Sequence, residues 1–289
     1  MVKIYTIPCE NCLTEIDITE DVCGNCGLSM PGTFNIRRAS GQDEKAALDQ
    51  RYDMAVLHCE KNGTDVQAKL LEDEVHDHGK AVINTTIDFL FNWVVKKDVN
   101  YLPYRRQLIN GIRIRSKFNY DLDRSIADSI LFGSSNDIIY SALSIDETGL
   151  SSYGEVAVIL KTSAIKSRTS ALESNSYHFL KELAKNGWTH RDPIPPGYMC
   201  IWEENHKLSV AKLHKKLEKT FKTTEIAKLV LNSQDNRSAD DFIELHIYGK
   251  ILAAAIEKVR ISRTVNDNLG PFGRARLDEI GRHANLEIY

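Results

Sequence analysis

The sequence predicts an α+β protein in three parts. Four of its six cysteines lie within the first 26 residues, helical periodicity extends over residues 41–133, and short β-branched segments interspersed with helices occupy residues 134–289. Clustered cysteines indicate a small metal-bound module, and β-branched apolar runs bounded by turn residues indicate strands. We therefore expect a zinc ribbon over residues 1–36, a helical connector over 41–133 and an α+β domain over 134–289.

Composition and charge narrow the class of protein. The chain has 289 residues, of which 42% are hydrophobic and 27% are charged, as in an ordinary soluble globular protein. Its formal net charge of −3 excludes a globally basic nucleic-acid binder but leaves local basic patches open. No apolar run approaches the roughly 20 residues that span a bilayer, and the N-terminus lacks a hydrophobic signal core. We expect a cytoplasmic protein without membrane contact.

Two Cys-x-x-Cys pairs are the most specific signal in the sequence. The first pair, Cys9 and Cys12, is separated by ten residues from the second, Cys23 and Cys26. Four thiolates at this spacing can close a tetrahedral Zn²⁺ site, and such a site holds together a module too small to fold without metal. The pattern resembles the small zinc ribbons of many bacterial proteins. The ribbon could bind nucleic acid, bind another protein or cap a domain of this chain, and the sequence does not distinguish these alternatives.

The residues after the ribbon carry helical periodicity. Leu48, Tyr52 and Val56 follow one another at four-residue steps in a first helix that ends near Gly63. A second helix is expected over residues 64–95, divided at Gly79. These two helices form most of the predicted connector, which ends with a short helix over residues 124–131.

Two groups of basic residues permit two interpretations. One lies in the arginine-dense segment after residue 100, and the other lies on the polar face of an amphipathic helix expected over residues 206–221. Such residues form solvated or ion-paired faces, but guanidinium and ammonium groups also match phosphate oxygens. The candidate nucleic-acid contacts are Arg105, Arg106, Lys212, Lys215 and Lys219.

Two segments of the C-terminal part place polar residues beside apolar strands. The first, residues 149–179, contains the buried-strand pattern Glu155–Leu160. The second, residues 240–249, alternates so that Phe242, Glu244 and His246 share one face of a strand. We expect a polar ligand to be held where the two segments meet. In the first segment, an extended run that restarts at Arg168-Thr169-Ser170 ends in the polar cluster Glu173, Asn175 and Ser176.

Taken in this order, the motifs resemble the ADP-ribosyltransferase superfamily. A strand that follows Tyr-Gly, an Arg-Thr-Ser strand, an Asn-Ser cluster and a late strand with one inward glutamate are present, and residues 242–249 are similar to the glutamate strand of bacterial toxin-like members. The resemblance covers roughly residues 136–261. It implies a mixed β-sheet domain that binds NAD in a cleft and transfers ADP-ribose to a macromolecular acceptor.

The resemblance also implies roles for individual residues. Glu244 would stabilise the positive charge that develops on the ribose as the bond to nicotinamide breaks. Arg168 and Ser170 would complete the catalytic group, where hydroxyls order the site rather than attack. The expected NAD contacts are Tyr140, Tyr153, Thr169, Asn175, Ser176 and His246.

The sequence departs from the family pattern at two places. Tyr140 and Ser141 stand where the first strand of the family carries arginine or histidine, so Arg105 or Arg106 is the candidate substitute. Phe242 stands two residues before the glutamate, where the family carries a second polar residue. Both departures leave the type of acceptor residue open.

The favoured function is NAD-dependent ADP-ribosyl transfer to nucleic acid or protein by a toxin-like or phage-defence effector. An inhibitory antitoxin protein is among its candidate partners. The alternative is a non-enzymatic zinc-ribbon protein that binds RNA or DNA through phosphate contacts. Binding that weakens steeply with salt and needs no NAD distinguishes this alternative.

Overall fold

The computed structural model describes residues 6–9, 11–17, 20–96, 100–111, 120–133, 137–189, 192–234 and 236–289, with only the backbone at 105 and 120–125. In this part of the chain there are 12 α-helices and a mixed eight-stranded sheet, which confirms the α+β class. None of the described helices combines the length and the apolar character needed to cross a membrane.

Strands occur from the ribbon to the last residues. Two of them, β1 and β2, form the hairpin of the ribbon, and β8 pairs with β9 in a second small ladder. The strands are β1 (Thr6–Pro8), β2 (Glu15–Asp17), β3 (Lys80–Thr85), β4 (Ile138–Ser144), β5 (Val156–Leu160), β6 (Thr169–Leu172), β7 (Met199–Ile201), β8 (Leu231–Asn232), β9 (Asp241–Phe242), β10 (Glu244–Tyr248), β11 (Ile256–Ile261) and β12 (Leu286–Ile288).

Helices connect most of these strands. The helices are α1 (Phe34–Ala39), α2 (Gln42–Asn62), α3 (Asp65–His78), α4 (Ile87–Val94), α5 (Tyr104–Ile109), α6 (Tyr120–Phe132), α7 (Thr162–Ile165), α8 (Ser176–Lys185), α9 (Asn205–Leu213), α10 (Thr223–Val230), α11 (Arg263–Asp267) and α12 (Pro271–His283). The lysine-bearing helix expected over 206–221 therefore ends at Leu213, and a 3₁₀ turn follows it.

The large sheet has the strand order β12-β11-β5-β3-β4-β10-β6-β7. Its neighbouring strands are antiparallel, except that β11 and β12 are parallel. Strand β10 lies between β4 and β6, so that Glu244 stands opposite Ala142 on one side and Leu172 on the other. An interior strand fixes the direction of its side chains, because every second residue must face the same side of the sheet.

The central strand β3 corrects the expected helical connector. Helix is confirmed for Asp65–His78 and for Ile87–Val94, but the prediction of helix is wrong for Lys80–Thr85, which pairs with both β4 and β5. A continuous apolar run suits a strand covered on both faces as well as it suits a buried helix. The sheet thus takes strands from both sides of the boundary expected at 133/134.

The largest core cluster joins the sheet to helices α2, α3, α4, α9 and α12. Trp93 on α4 is fully buried in this cluster, and its indole N–H donates to the backbone carbonyl of Ile251 at 3.2 Å. A buried indole needs such an acceptor, because an unpaired polar group in the core costs free energy. The Trp93 side chain therefore fastens α4 to the segment between β10 and β11.

Replacing Trp93 tests this core. We expect Trp93→Ala to lower the free energy of unfolding by about 3–5 kcal/mol, because it opens a large cavity. Trp93→Phe should cost less, since the Ile251 carbonyl still accepts from the Tyr101 N–H at 2.9 Å. Urea unfolding midpoints at constant slope measure both effects.

The matched control for this prediction is Phe272→Ala, because the Phe272 ring is 81% exposed. We expect its effect to stay within about 0.5 kcal/mol of the parent. Equal losses for Trp93→Ala and Phe272→Ala would contradict the core assignment.

Candidate functional site

A cleft of about 330 Å³ opens along strands β3 and β4. Its volume falls in the range of about 300–1,000 Å³ that small-molecule sites occupy. Six aromatic side chains line it, together with one carboxylate and one guanidinium among the described residues of the lining. The aromatic residues are Phe89, Tyr101, Tyr104, Tyr140, Tyr153 and Phe242.

Glu244 supplies the carboxylate of the cleft although it is only 2% exposed. Its Oε1 accepts from the Ser176 backbone N–H at 3.0 Å and from His246 Nε2 at 2.9 Å. Its Oε2 accepts from Asn175 Nδ2 at 3.0 Å. Because a buried charge is costly without partners, these three donors explain how the carboxylate is tolerated and hold it in one orientation.

Asn175 is placed by the helix that it begins. It is the N-cap of α8, and its Oδ1 accepts from the backbone N–H groups of Tyr177 and His178 at 3.1 and 3.4 Å. The amide nitrogen must then face away from the helix, towards Glu244. The positive end of the α8 dipole also lies against this carboxylate, which stabilises its negative charge.

His246 lies behind Glu244 rather than in the wall of the cleft. It is fully buried, with the rings of Phe132 and Tyr140 at centroid distances of 4.7 and 5.2 Å. A carboxylate can only accept, so the proton on Nε2 is donated to Glu244. Nδ1 has no hydrogen-bond partner among the described residues. His246 therefore supports the carboxylate from within the sheet.

Asn35 on α1 is a residue of the site that sequence reasoning missed. Its Nδ2 donates to the His246 carbonyl at 2.9 Å, to Ser170 Oγ at 3.2 Å and to the Arg168 carbonyl at 3.2 Å. These partners lie on β10 and at the start of β6, so one buried amide joins the two strands behind Glu244. A single asparagine in a short helix gives no sequence signal for this role.

The side chains of the Arg168-Thr169-Ser170 segment point in different directions. Ser170 faces the side of His246, its partner in the strand register. Thr169 faces the opposite side and donates to the Ile165 carbonyl at 2.8 Å. The Arg168 guanidinium donates to the Tyr248 carbonyl, and burial lowers its pKa. The structure therefore does not bring the side chains of Thr169 and Arg168 to the Glu244 carboxylate, because strand alternation and a backbone acceptor direct them elsewhere.

The two tyrosines expected to contact the ligand do line the cleft. The Tyr140 hydroxyl donates to the Asp128 carboxylate, while its ring packs on His246. The guanidinium of Arg237 stacks on the Tyr153 ring, with its Cζ 4.5 Å from the ring centroid. Asn175 also lines the cleft, whereas the Ser176 side chain is buried beside it.

Some of the basic residues expected to contact nucleic acid instead form ion pairs with carboxylates of the protein. Lys212 Nζ donates to Asp241 at 2.7 Å and to the Phe242 carbonyl at 3.0 Å, and its side chain is only 11% exposed. Arg106 Nε lies 2.5 Å from an Asp137 carboxylate oxygen. Lys215 and Lys219 are exposed. The side chain of Arg105 lies outside the described residues.

The four cysteines of the ribbon are positioned to bind a metal ion. Their sulfur atoms all lie within 4.8 Å of one another. Cys9 and Cys23 are buried and Cys26 is exposed, so the cluster reaches the surface on one side. Gly27 follows the last cysteine with a φ of 72°, a conformation that glycine adopts without strain.

Comparison with protein-family models and with curated proteins finds no match for this chain. Its function is therefore inferred from the chemistry of the cleft and of the cysteine cluster.

The ion pair of Asp241 makes a prediction about acid stability. Burial raises the pKa of Asp241, but attraction to Lys212 and hydrogen bonds from Lys212 and Lys216 outweigh it, and the pKa lies below its ordinary value. A depressed folded-state pKa stabilises the fold above the unfolded-state pKa, and this stabilisation is lost as pH falls through the folded-state pKa. Asp241→Asn should therefore unfold at lower urea concentration at pH 7 and lose less stability on acidification.

Urea unfolding midpoints at pH 7 and at several values below pH 4 would measure this difference. Asp53→Asn is the matched control, because Asp53 is an exposed residue of α2. An Asp241→Asn protein with the same acid response as the parent would show that the ion pair contributes no stability.

Proposed function

We propose that this chain catalyses NAD-dependent ADP-ribosyl transfer to a macromolecular acceptor. The observation that supports the proposal is the fixed carboxylate of Glu244 in the wall of a ligand-sized cleft. Cleavage of the bond between nicotinamide and ribose develops positive charge on the ribose. A negative group that is already oriented stabilises that charge without reorganisation during the reaction.

The neighbours of Glu244 support this role by holding it still. Asn175 Nδ2, the Ser176 N–H and His246 Nε2 all lie within 3.0 Å of a carboxylate oxygen. Because these donors come from a helix N-terminus and from the same strand, the carboxylate cannot rotate away without losing them. Preorganisation of this kind is what electrostatic catalysis requires.

The aromatic side of the cleft suits the flat rings of a dinucleotide. Tyr101 lies with its ring centroid 5.2 Å from that of Phe89 and 5.0 Å from that of Trp93. Rigid rings offer apolar area to heteroaromatic groups at little cost in conformational entropy. Nicotinamide and adenine are such groups. The proposal includes the role of a toxin-like or defence effector.

Ser170 serves the proposed site indirectly. Its Oγ is bound by Asn35, which also holds the His246 carbonyl. In the proposed reaction, the Ser170 hydroxyl orders the site and does not attack the substrate. Arg168 donates to the Tyr248 carbonyl on β10, and Thr169 donates to the Ile165 carbonyl at the end of α7.

We infer that the metal of the ribbon is Zn²⁺ and that its role is structural. Four sulfur ligands within 4.8 Å of one another suit a tetrahedral ion that prefers thiolates. Such a set leaves no open coordination position for a substrate. Cys9, Cys12, Cys23 and Cys26 would therefore hold the ribbon together and take no part in the transfer reaction.

Glu244→Gln tests the proposed reaction directly. The substitution keeps the shape of the side chain and removes its charge, so transfer of label from NAD to cell lysate should fall by about 10²–10³-fold. Zinc content should stay close to that of the parent. The melting temperature should fall, because an amide NH₂ replaces one of two oxygens that accept from buried donors, so activity is compared at a temperature where both proteins are folded. Portions treated with RNase or with protease identify the class of acceptor.

Glu182→Gln is the control, because Glu182 is an exposed residue of α8, the helix that caps the Glu244 site. Full activity of Glu244→Gln would place the reaction elsewhere. Absence of both transfer and nicotinamide release in the parent would reject the proposed function.

Cys23→Ser tests the metal assignment. Replacing one buried ligand of four should reduce bound zinc to well below one ion per chain and lower the melting temperature, because metal binding and folding of the ribbon are coupled. Zinc is measured by elemental analysis after gel filtration. Cys200→Ser, at a buried cysteine outside the cluster, should retain its zinc. Full zinc content in Cys23→Ser would contradict the assignment.

A further inference from the structure

A basic side chain, that of Arg237, lines the cleft. Among the described residues that line it, Arg237 is the cationic group and Glu244 the anionic group. Arg237 belongs to the loop between β8 and β9, which borders the cleft next to Tyr153. A cleft that held only the carboxylate would repel a phosphate-bearing ligand, whereas a cation in the same lining offsets that repulsion.

The Arg237 guanidinium is held without a carboxylate partner among the described residues. Its Nε donates to the Ser152 carbonyl at 3.0 Å, and its Cζ lies 4.5 Å from the centre of the Tyr153 ring. Neither partner is a carboxylate, and within the described chain no ion pair involves Arg237. Its two terminal NH₂ groups are therefore available to an anion in the cleft.

The loop that carries Arg237 is tied to the segment that carries its partners. Ser233 Oγ accepts from the Ser151 N–H at 3.0 Å. Asp240 accepts from the Ser152 hydroxyl and, at 2.7 Å, from the Gln234 N–H. Because both sides of the contact are fastened together, the guanidinium is oriented before a ligand arrives. Preorganisation of this kind lowers the entropic cost of binding.

We propose that Arg237 forms an anion subsite in the cleft that binds the diphosphate of a nucleotide ligand. The planar fork of arginine matches two phosphate oxygens, and stacking on Tyr153 fixes the plane of that fork. The subsite rests on the proposed function, in which NAD supplies the diphosphate. It is an alternative to the expected role of Arg106, whose guanidinium is paired with Asp137.

Calorimetric titration of the full-length, zinc-containing protein with ADP, NAD and adenosine tests the subsite. Arg237→Gln should weaken ADP and NAD binding by about 10–100-fold, the effect of losing hydrogen bonds to a charged group, and should leave adenosine binding unchanged. Arg237→Lys keeps the charge without the fork and the ring stacking, so its ADP affinity should fall between those of the parent and Arg237→Gln. Arg274→Gln, at an exposed arginine outside the cleft lining, is the control and should bind all three like the parent.

Three results would overturn the subsite: ADP affinity of Arg237→Gln equal to that of the parent, an equal loss for adenosine and ADP, or a parent protein that binds neither ADP nor NAD. Failure of the proposed function has a different signature. A parent protein that binds ADP through Arg237 but neither transfers ADP-ribose nor releases nicotinamide keeps the subsite and loses the transferase.

Discussion

A buried carboxylate that its neighbours must stabilise organises the centre of this protein. Glu244 is 2% exposed, and an unpartnered charge at that depth would cost several kcal/mol. Its donors come from β10 itself and from the first turn of α8, so the position of that helix follows from the position of the strand. The Asn175 side chain caps α8 through its oxygen and donates to the Glu244 carboxylate through its nitrogen. One side chain therefore both begins the helix and stabilises the carboxylate.

Contacts made by helix α1 connect the strand that carries Glu244 to the ribbon. Asn35 holds the backbone of His246 and the hydroxyl of Ser170, and it belongs to α1, the first helix after the cysteine cluster. Two residues further on, Arg37 donates to the Gly32 carbonyl at 2.8 Å and lies 3.6 Å from an Asp21 carboxylate oxygen. A continuous series of short contacts thus connects the metal-binding module to the strand behind the cleft, and α1 is the element they share.

Local patterns predicted the parts of the site that depend on local physics. Strand alternation placed Glu244 and His246 on one face, and the cysteine spacing predicted the four-sulfur cluster. Long-range pairing decided the rest. The partners of Asn35 lie 133, 135 and 211 residues away in the sequence. The residues of β3 have a pattern that also suits a helix, and only pairing with β4 and β5 makes them a strand. No window of sequence contains either relationship.

The basic residues show why sequence position alone could not locate a cation for a ligand. Lys212 lies next to Asp241, and Arg106 lies next to Asp137, so carboxylates of the protein already use their charges. A cation that is held in place by uncharged groups keeps its charge available to a ligand. Arg237 meets this condition because a backbone carbonyl and an aromatic face hold it in place. Its charge therefore acts on the same cleft that the buried carboxylate of Glu244 lines.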